Sequence, residues 1–333
     1  MMRPAQHPDM RVTILLSTYN GAPFLPAQLE SFLNQTHQNW EILWRDDGST
    51  DETRRIMHEF SSAAGTGRCR EAPSSGPHMG AAPSFLTLLA EADRSSILAF
   101  ADQDDVWLPE KLDRALCHLA PAGDEPALYC ARQYLVNKQL AHARISARHE
   151  RLGFPACLTQ NAANGNTLVM NEAAARLVVR AGYPPGSVHD WWSYIVVAAC
   201  GGQILFDEVP QVLYRLHEHN LIGRAQPLYR RAWAALQRGP LIYITMMHRH
   251  ADMLESQAGR LTEEARQDLR LIQAGLKGGL LARLAALRCP RFRRRTWLEN
   301  LLFGWWFLSA RRTTRPAPHP AWSVSKGETE EAV

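Results

Sequence analysis

Residues Ile97 to Lys111, ILAFADQDDVWLPEK, constrain the fold more than any other stretch of the chain. Four apolar residues, Ile97, Leu98, Ala99 and Phe100, run without alternation into Asp102, Asp104 and Asp105. An unalternating apolar run is the pattern of a strand covered on both faces, as in a parallel sheet between layers of helices. Carboxylates clustered at its end repel one another and resist burial unless something positive neutralises them. Alone, such a cluster reads as a solvated turn. At the carboxyl end of a buried strand, where open α/β sheets bind ligands, it fits a hard divalent cation held by oxygen. Trp107 and Pro109 then introduce a helix over Glu110 to Leu119.

Two earlier segments end the same way. Val12 to Leu16 is a strand that runs into Ser17-Thr18-Tyr19-Asn20-Gly21, small and polar enough for close approach to a ligand. Leu25, Leu29, Phe32 and Leu33 follow at helical spacing. Trp40 to Trp44 is a second strand, ending in Asp46-Asp47-Gly48-Ser49-Thr50-Asp51. Ser49 or Thr50 is expected to cap a helix over 50–61, with Asp51 and Glu52 in its first turn. Capping does not account for Asp46 and Asp47, and a carboxylate there can accept from a base N–H or a ribose hydroxyl. Residues 62–83 read as a loop and 84–93 as a helix. The first 120 residues thus alternate strand and helix three times, predicting a parallel sheet.

Beyond residue 120 the pattern predicts strands at Ala127 to Val136, Gly165 to Met170, Gln203 to Phe206 and Gln211 to Leu216. Asn171 is expected to cap a helix over 172–181, and His189-Asp190-Trp191-Trp192 to open another. Helices follow near 227–258 and 262–287. Trp297 to Leu308 is apolar around most of its circumference and is flanked by arginines. A chain of 333 residues, 46% hydrophobic, can bury one large or two modest cores. The division expected is 1–225 for the α/β unit, 226–315 for a helical extension and 316–333 for a disordered tail. A net charge of +4 does not point to nucleic acid. The excess sits late, with eight arginines against Glu299 alone between Arg288 and Arg315. Six cysteines without a CxxC pair suit reduced thiols. No signal core or membrane-length apolar run is present, so a cytoplasmic α/β enzyme is expected.

In this order and at this spacing, STYNGAPFLPAQLESFLNQT, DDGSTDET and FADQDDVWLPEKL resemble family 2 glycosyltransferases. That resemblance implies a GT-A fold, a Rossmann-like and mostly parallel sheet flanked by helices. GNTLVMN, HDWW and YRLHEHNLIG carry it to about residue 224. DQDDVWLPEKL with YRxHxxNxxG is similar to rhamnosyltransferase-like members that build bacterial surface polysaccharides. The resemblance implies an inverting, metal-dependent enzyme that moves a sugar from a dTDP- or UDP-linked donor to a glycan or lipid-linked acceptor. It assigns Ser17, Tyr19, Asn20 and Asp47 to the nucleotide, with Asp102 and Arg215 at the diphosphate. It makes Asp102 and Asp104 ligands of Mg²⁺ or Mn²⁺, with His217 a third metal or phosphate contact, although DQDD leaves open whether Asp102 or Asp105 assists Asp104.

Asp190 takes the place of the general base, with His189 as its neighbour. Trp191 and Trp192 are either a sugar platform or core aromatics. L-rhamnose from dTDP-rhamnose is the expected donor, a UDP-hexose or UDP-galactofuranose the alternative. A non-catalytic nucleotide-sugar-binding protein would leave the metal acids and base without a use. The arginine-flanked helix either touches the inner face of the membrane peripherally or packs on the catalytic unit.

Overall fold

The computed structural model describes residues 7, 9–65, 67–93, 97–216 and 241–310. β1 (Val12–Thr18), β2 (Trp40–Asp46), β3 (Cys69–Glu71) and β4 (Ile97–Ala101) are linked by α1 (Leu25–Leu33), α2 (Thr53–Ala63) and α3 (Ala81–Glu91). β5 (Val106–Trp107) and α4 (Lys111–Leu119) follow, then β6 (Ala127–Ala131), β7 (Tyr134–Val136), β8 (Arg144–Ile145) and β9 (Val169–Met170). α5 (Glu172–Ala181), α6 (His189–Ala199), β10 (Gln203–Asp207) and β11 (Val212–Arg215) complete the α/β part. The main sheet has the order β10-β6-β9-β4-β1-β2-β3, and a smaller one the order β5-β11-β7-β8. In the main sheet only β9 runs antiparallel to its neighbours β4 and β6.

Strand periodicity divides the interior in two. Ile14, Leu16, Ile42, Trp44, Ala99 and Ala101 pack against α1 and α4 through Leu25, Leu29, Phe32, Leu112 and Leu116. Leu15, Leu43, Leu98 and Phe100 face the other way, onto Phe85, Leu88, Val178 and Ile195. Both faces are therefore covered, as the unalternating runs require. The register sets Thr18 beside Asp46 and Leu16 beside Ala101. The loops after β1, β2 and β4 consequently emerge side by side on one sheet edge.

Several local expectations are corrected. The loop at 62–83 contains β3, a strand too short to show a pattern. The strand expected over Ala127 to Val136 is two strands in different sheets, separated by Arg132 and Gln133 alone. Gly165 to Thr167 is a 3₁₀ turn, and only Val169–Met170 pairs. Neither Ser49 nor Thr50 caps α2, which begins at Thr53; Ser49 is drawn away by Asp46, to which its hydroxyl donates at 2.6 Å. The capping of α5 by Asn171 is as expected, its side chain accepting from the Ala174 N–H at 3.0 Å.

The C-terminal part comprises helices Leu241–Glu255, Glu263–Lys277, Leu280–Leu287 and Trp297–Ser309. The single helix expected over 262–287 breaks at Gly278-Gly279, where a Cβ on Gly278 would stand 2.4 Å from the Ala274 carbonyl. Met247, Leu254, Ile272, Phe292 and Phe307 share one core with Trp192 and Ile195 of α6. The boundary expected at residue 225 and the tail over 316–333 lie outside the described residues.

His250 is sealed into that core. Its ring stacks on Trp192 at 5.6 Å, and Nε2 meets the Ser187 hydroxyl at 2.7 Å. Burial pushes its pKa down to about 3, and that of buried His189 down to about 4, from an ordinary 6.5. Both are neutral when folded and take a proton on unfolding below pH 6.5, so the stability these two contribute is complete above that value and falls with acid. At pH 5 each should cost about 2 kcal/mol. Urea titrations at pH 7 and pH 5 should show the loss as a difference, the parent falling by about 2 kcal/mol relative to His250→Phe; the same pH dependence in both would remove His250 from the account.

Candidate active site

The loop after β1 is pinned from two sides. Asn20, at φ 47°, accepts from the Thr50 N–H at 2.8 Å, and its own N–H donates to the Ser49 hydroxyl at 2.9 Å. Gln103 grips the Tyr19 backbone at both ends: Nε2 donates to the carbonyl at 2.8 Å and Oε1 accepts from the N–H at 2.9 Å. A Cβ on Gly21 would stand 2.1 Å from that Oε1, so the grip needs glycine there. In DQD, the middle residue therefore turns back to the β1 loop while its neighbours face elsewhere.

At the end of β2 both acids are buried. Asp46 accepts from the Thr18 hydroxyl, the Ser49 hydroxyl and the N–H groups of Gly48 and Ser49. Asp47 is 2% exposed and is held by Arg45 at 2.5 Å, the Met79 and Gly80 N–H groups at 2.8 Å, and His78 Nδ1 at 2.9 Å. Arg45, itself fully buried, also donates to the Ser84 hydroxyl, which is 2.7 Å from that of Ser17. Ser17 and Asp47 are thus members of one network under the loop at 77–80. Above it the rings of Tyr19 and His78 lie with centroids 4.5 Å apart, both open to solvent. His78 is not among the residues the sequence points to, because it sits inside a Gly- and Pro-rich loop with no periodicity. An isolated histidine between Pro77 and Gly80 is its only signal.

The three acids after β4 take different directions. Asp105 is fully buried, with Oδ2 accepting from Asn166 Nδ2 at 2.6 Å and Oδ1 from the Arg215 N–H at 3.1 Å. Burial, then Asp104 and Asp102, push its carboxyl well up against those hydrogen bonds. Lys111 is also fully buried, its ammonium 3.3 Å from the Trp107 ring centroid; burial pushes it well down and Asp105 holds it up. Asp102 and Asp104 stay half-buried at the edge. Burial pushes the Asp102 carboxyl up to about 8, and the charges of Asp104 and Asp190 push the same way. Asp102, not Asp105, is therefore the acid that shares the open side with Asp104.

Asp190 lies in the first turn of α6, far away in sequence. Its Oδ2 accepts from the Gly165 N–H at 2.8 Å and its Oδ1 from the Trp191 N–H at 2.6 Å. The adjacent Asn166 is the residue bonded to Asp105, so two consecutive residues tie α6 to the acidic loop. His189 wedges behind them, stacked on Phe85 at 4.1 Å and edge-on to Phe100 at 4.9 Å. A Cβ on Gly165 would stand 2.8 Å from His189 Nε2 and 3.4 Å from Asp190 Cβ. Gly165→Ala should therefore displace Asp190, and an Asp190 that serves as general base would then lose about 100-fold in turnover. The melting temperature should fall by only a few degrees. Unchanged turnover would mean that Gly165 does not set the position of Asp190.

Arg215 is 5% exposed and serves the acidic loop from behind, Nε donating to the Asp104 carbonyl at 2.8 Å and Nη1 to the Lys138 carbonyl. Trp192 is fully buried with its Nε1 on the Gly182 carbonyl, which removes it as a sugar platform. Trp191 is partly buried and bonded to the Cys157 carbonyl. His217, expected as a third metal or phosphate contact, lies outside the described residues. Among the described residues no set of three His, Cys, Asp or Glu side chains is grouped to hold a metal.

Residues 13–176 match the model of Glycosyl transferase family 2. The chain is 27% identical over 221 residues to a dTDP-rhamnosyl transferase, RfbG, of Shigella flexneri, covering 62% of this chain and 73% of that one. Over 105 residues it is 36% identical to a UDP-Glc:alpha-D-GlcNAc-diphosphoundecaprenol beta-1,3-glucosyltransferase, WfgD, of Escherichia coli, covering 32% of this chain and 39% of that one. Residues 1–349 of S. aureus TarS, solved with UDP-GlcNAc, share the fold at a TM-score of 0.57 and 14% identity, covering 84% of this chain and 79% of that one. With the strand order and the matched residues in agreement, the chain belongs to glycosyltransferase family 2 and has the GT-A architecture.

Proposed function

We propose that this glycosyltransferase acts in polysaccharide biosynthesis, transferring L-rhamnose from dTDP-rhamnose to a hydroxyl of a glycan or lipid-linked acceptor with inversion. The observation that carries the reading is the convergence of Asp190 with Asp102 and Asp104 at the carboxyl edge of the sheet, through the bridge at Gly165 and Asn166. Inversion by direct displacement needs a base on the acceptor side and charge stabilisation on the donor side, and these carboxylates divide between the two tasks. Each oxygen of Asp190 accepts one backbone N–H and keeps a further lone pair for the acceptor's proton. That proton leaves as the acceptor oxygen attacks the anomeric carbon and the bond to the diphosphate breaks.

Asp102 and Asp104 suit Mg²⁺ or Mn²⁺: both are oxygen donors, and the mutual repulsion that burial imposes on them is what a divalent cation relieves. Such an ion would stabilise the charge that develops on the departing diphosphate. Tyr19 and Asn20 line the nucleotide side, with His78 offering a second ring to the base. Ser17 and Asp47 act on the nucleotide from beneath, by holding the 77–80 loop. Arg215 acts on the diphosphate through the Asp104 backbone it supports.

Over a comparable stretch the chain is more similar to the dTDP-rhamnosyl transferase, 27% over 221 residues, than to a second UDP-Glc glucosyltransferase, WfaP of Escherichia coli, 20% over 206 residues, which favours rhamnose. Thermal shifts with dTDP-rhamnose and UDP-glucose, with and without Mn²⁺, test the reading through the coupling of binding to stability. Metal-dependent stabilisation by dTDP-rhamnose is expected. Stabilisation by UDP-glucose alone would replace the donor, and transfer unaffected by EDTA would remove the metal.

A further inference from the structure

The last two described helices are apolar on the side that faces solvent as well as on the side that faces the core. In Trp297–Ser309 the inner side chains Phe303 and Phe307 pack on Phe292, with centroids 5.1 and 5.6 Å away. On the outside, Trp297, Leu298, Leu301 and Trp305 are 70%, 61%, 63% and 56% exposed. Leu280–Leu287 runs antiparallel beside it: Arg283 Nη1 donates to the Leu308 carbonyl at 2.7 Å, and Leu287 reaches Gly304. Its Leu280 and Leu281 are 61% and 83% exposed. Six large apolar side chains left in water on two adjacent helices mark an interaction surface.

The surrounding charge is predominantly positive. Between residues 280 and 315 the only acid is Glu299, which is already paired with Arg295. Arg291 is matched by Glu264 and Asp268, whereas Arg288 and Arg293 have no carboxylate partner among the described residues. The helix, at 13 residues, is about 20 Å long and too short to cross a hydrocarbon core of about 30 Å. A second copy docked across a two-fold axis would set these arginines against themselves.

We propose that this face rests on an anionic lipid surface, with the Trp and Leu side chains in the headgroup boundary and Arg288 and Arg293 on lipid phosphates. Flotation of the full chain with phosphatidylcholine vesicles, with or without about 30% phosphatidylglycerol, tests it. The protein should float with the anionic vesicles only, and less so as salt rises. Leu301→Glu with Trp305→Glu should weaken partitioning by at least about tenfold, and Arg288→Ser or Arg293→Ser by about fivefold each. Circular dichroism and melting should not change, since all four side chains are exposed. Absence of flotation, or equal flotation of the double Glu variant, overturns the proposal. So does a wild-type dimer that the double Glu variant converts to a monomer, which would assign the face to a second copy.

Discussion

Asp190→Asn should lower transfer by about 1,000-fold while changing donor affinity by no more than about twofold. The amide is nearly the same shape but cannot take the acceptor's proton. Both Asp190 oxygens accept backbone N–H groups, from Gly165 and Trp191, so the amide nitrogen must face one of those donors. The structural price is about 1–2 kcal/mol of stability, visible as a lower melting temperature. Titration with a nucleotide-sugar donor separates the two effects: affinity lost in parallel with turnover would mean that Asp190 builds the donor pocket instead of accepting a proton. Transfer at the parental rate would end its assignment as base.

Asp104→Ala should abolish the metal dependence of donor binding and reduce transfer by at least about 1,000-fold, in line with several kcal/mol of electrostatic stabilisation. A second readout runs against intuition. Without metal the variant should melt within a few degrees of the parent, because Asp104 repels Asp102 on one side and supports the charge of Arg215 on the other. A variant that melts much lower would mark Asp104 as a structural acid, like Asp105. Calorimetric titration of Mn²⁺ into the parent and the variant completes the test, since equal affinity would place the ion elsewhere.

The acidic edge is legible in the residues themselves because two strong local signals coincide there. Apolar runs without alternation identify strands buried on both faces, and Asp46, Asp47, Asp102 and Asp104 stand at their carboxyl ends, where parallel sheets place ligands. Short elements are not legible. β3, β5 and β9 have three, two and two residues, less than is needed for a period to show. The break between β6 and β7 is hidden because only Arg132 and Gln133 separate the two strands, too few residues to read as a boundary.

What the sequence alone determined is the set of chemical groups and the element each belongs to: acids after β2 and β4, Asp190 at a helix start, and apolar residues all around the last helix. Only the tertiary structure decided which of these groups meet and which way they point. It turned Asp105 inward onto Asn166 and left Asp102 with Asp104. It brought Asp190 to them through Gly165, seated His78 against Tyr19, and buried Trp192 while leaving Trp305 in solvent. The physical reason is that a side chain's direction depends on the partners that burial and hydrogen bonding assign to it. For Asp105 and Asp190 those partners lie 61 and 25 residues away along the chain, beyond the reach of any local pattern.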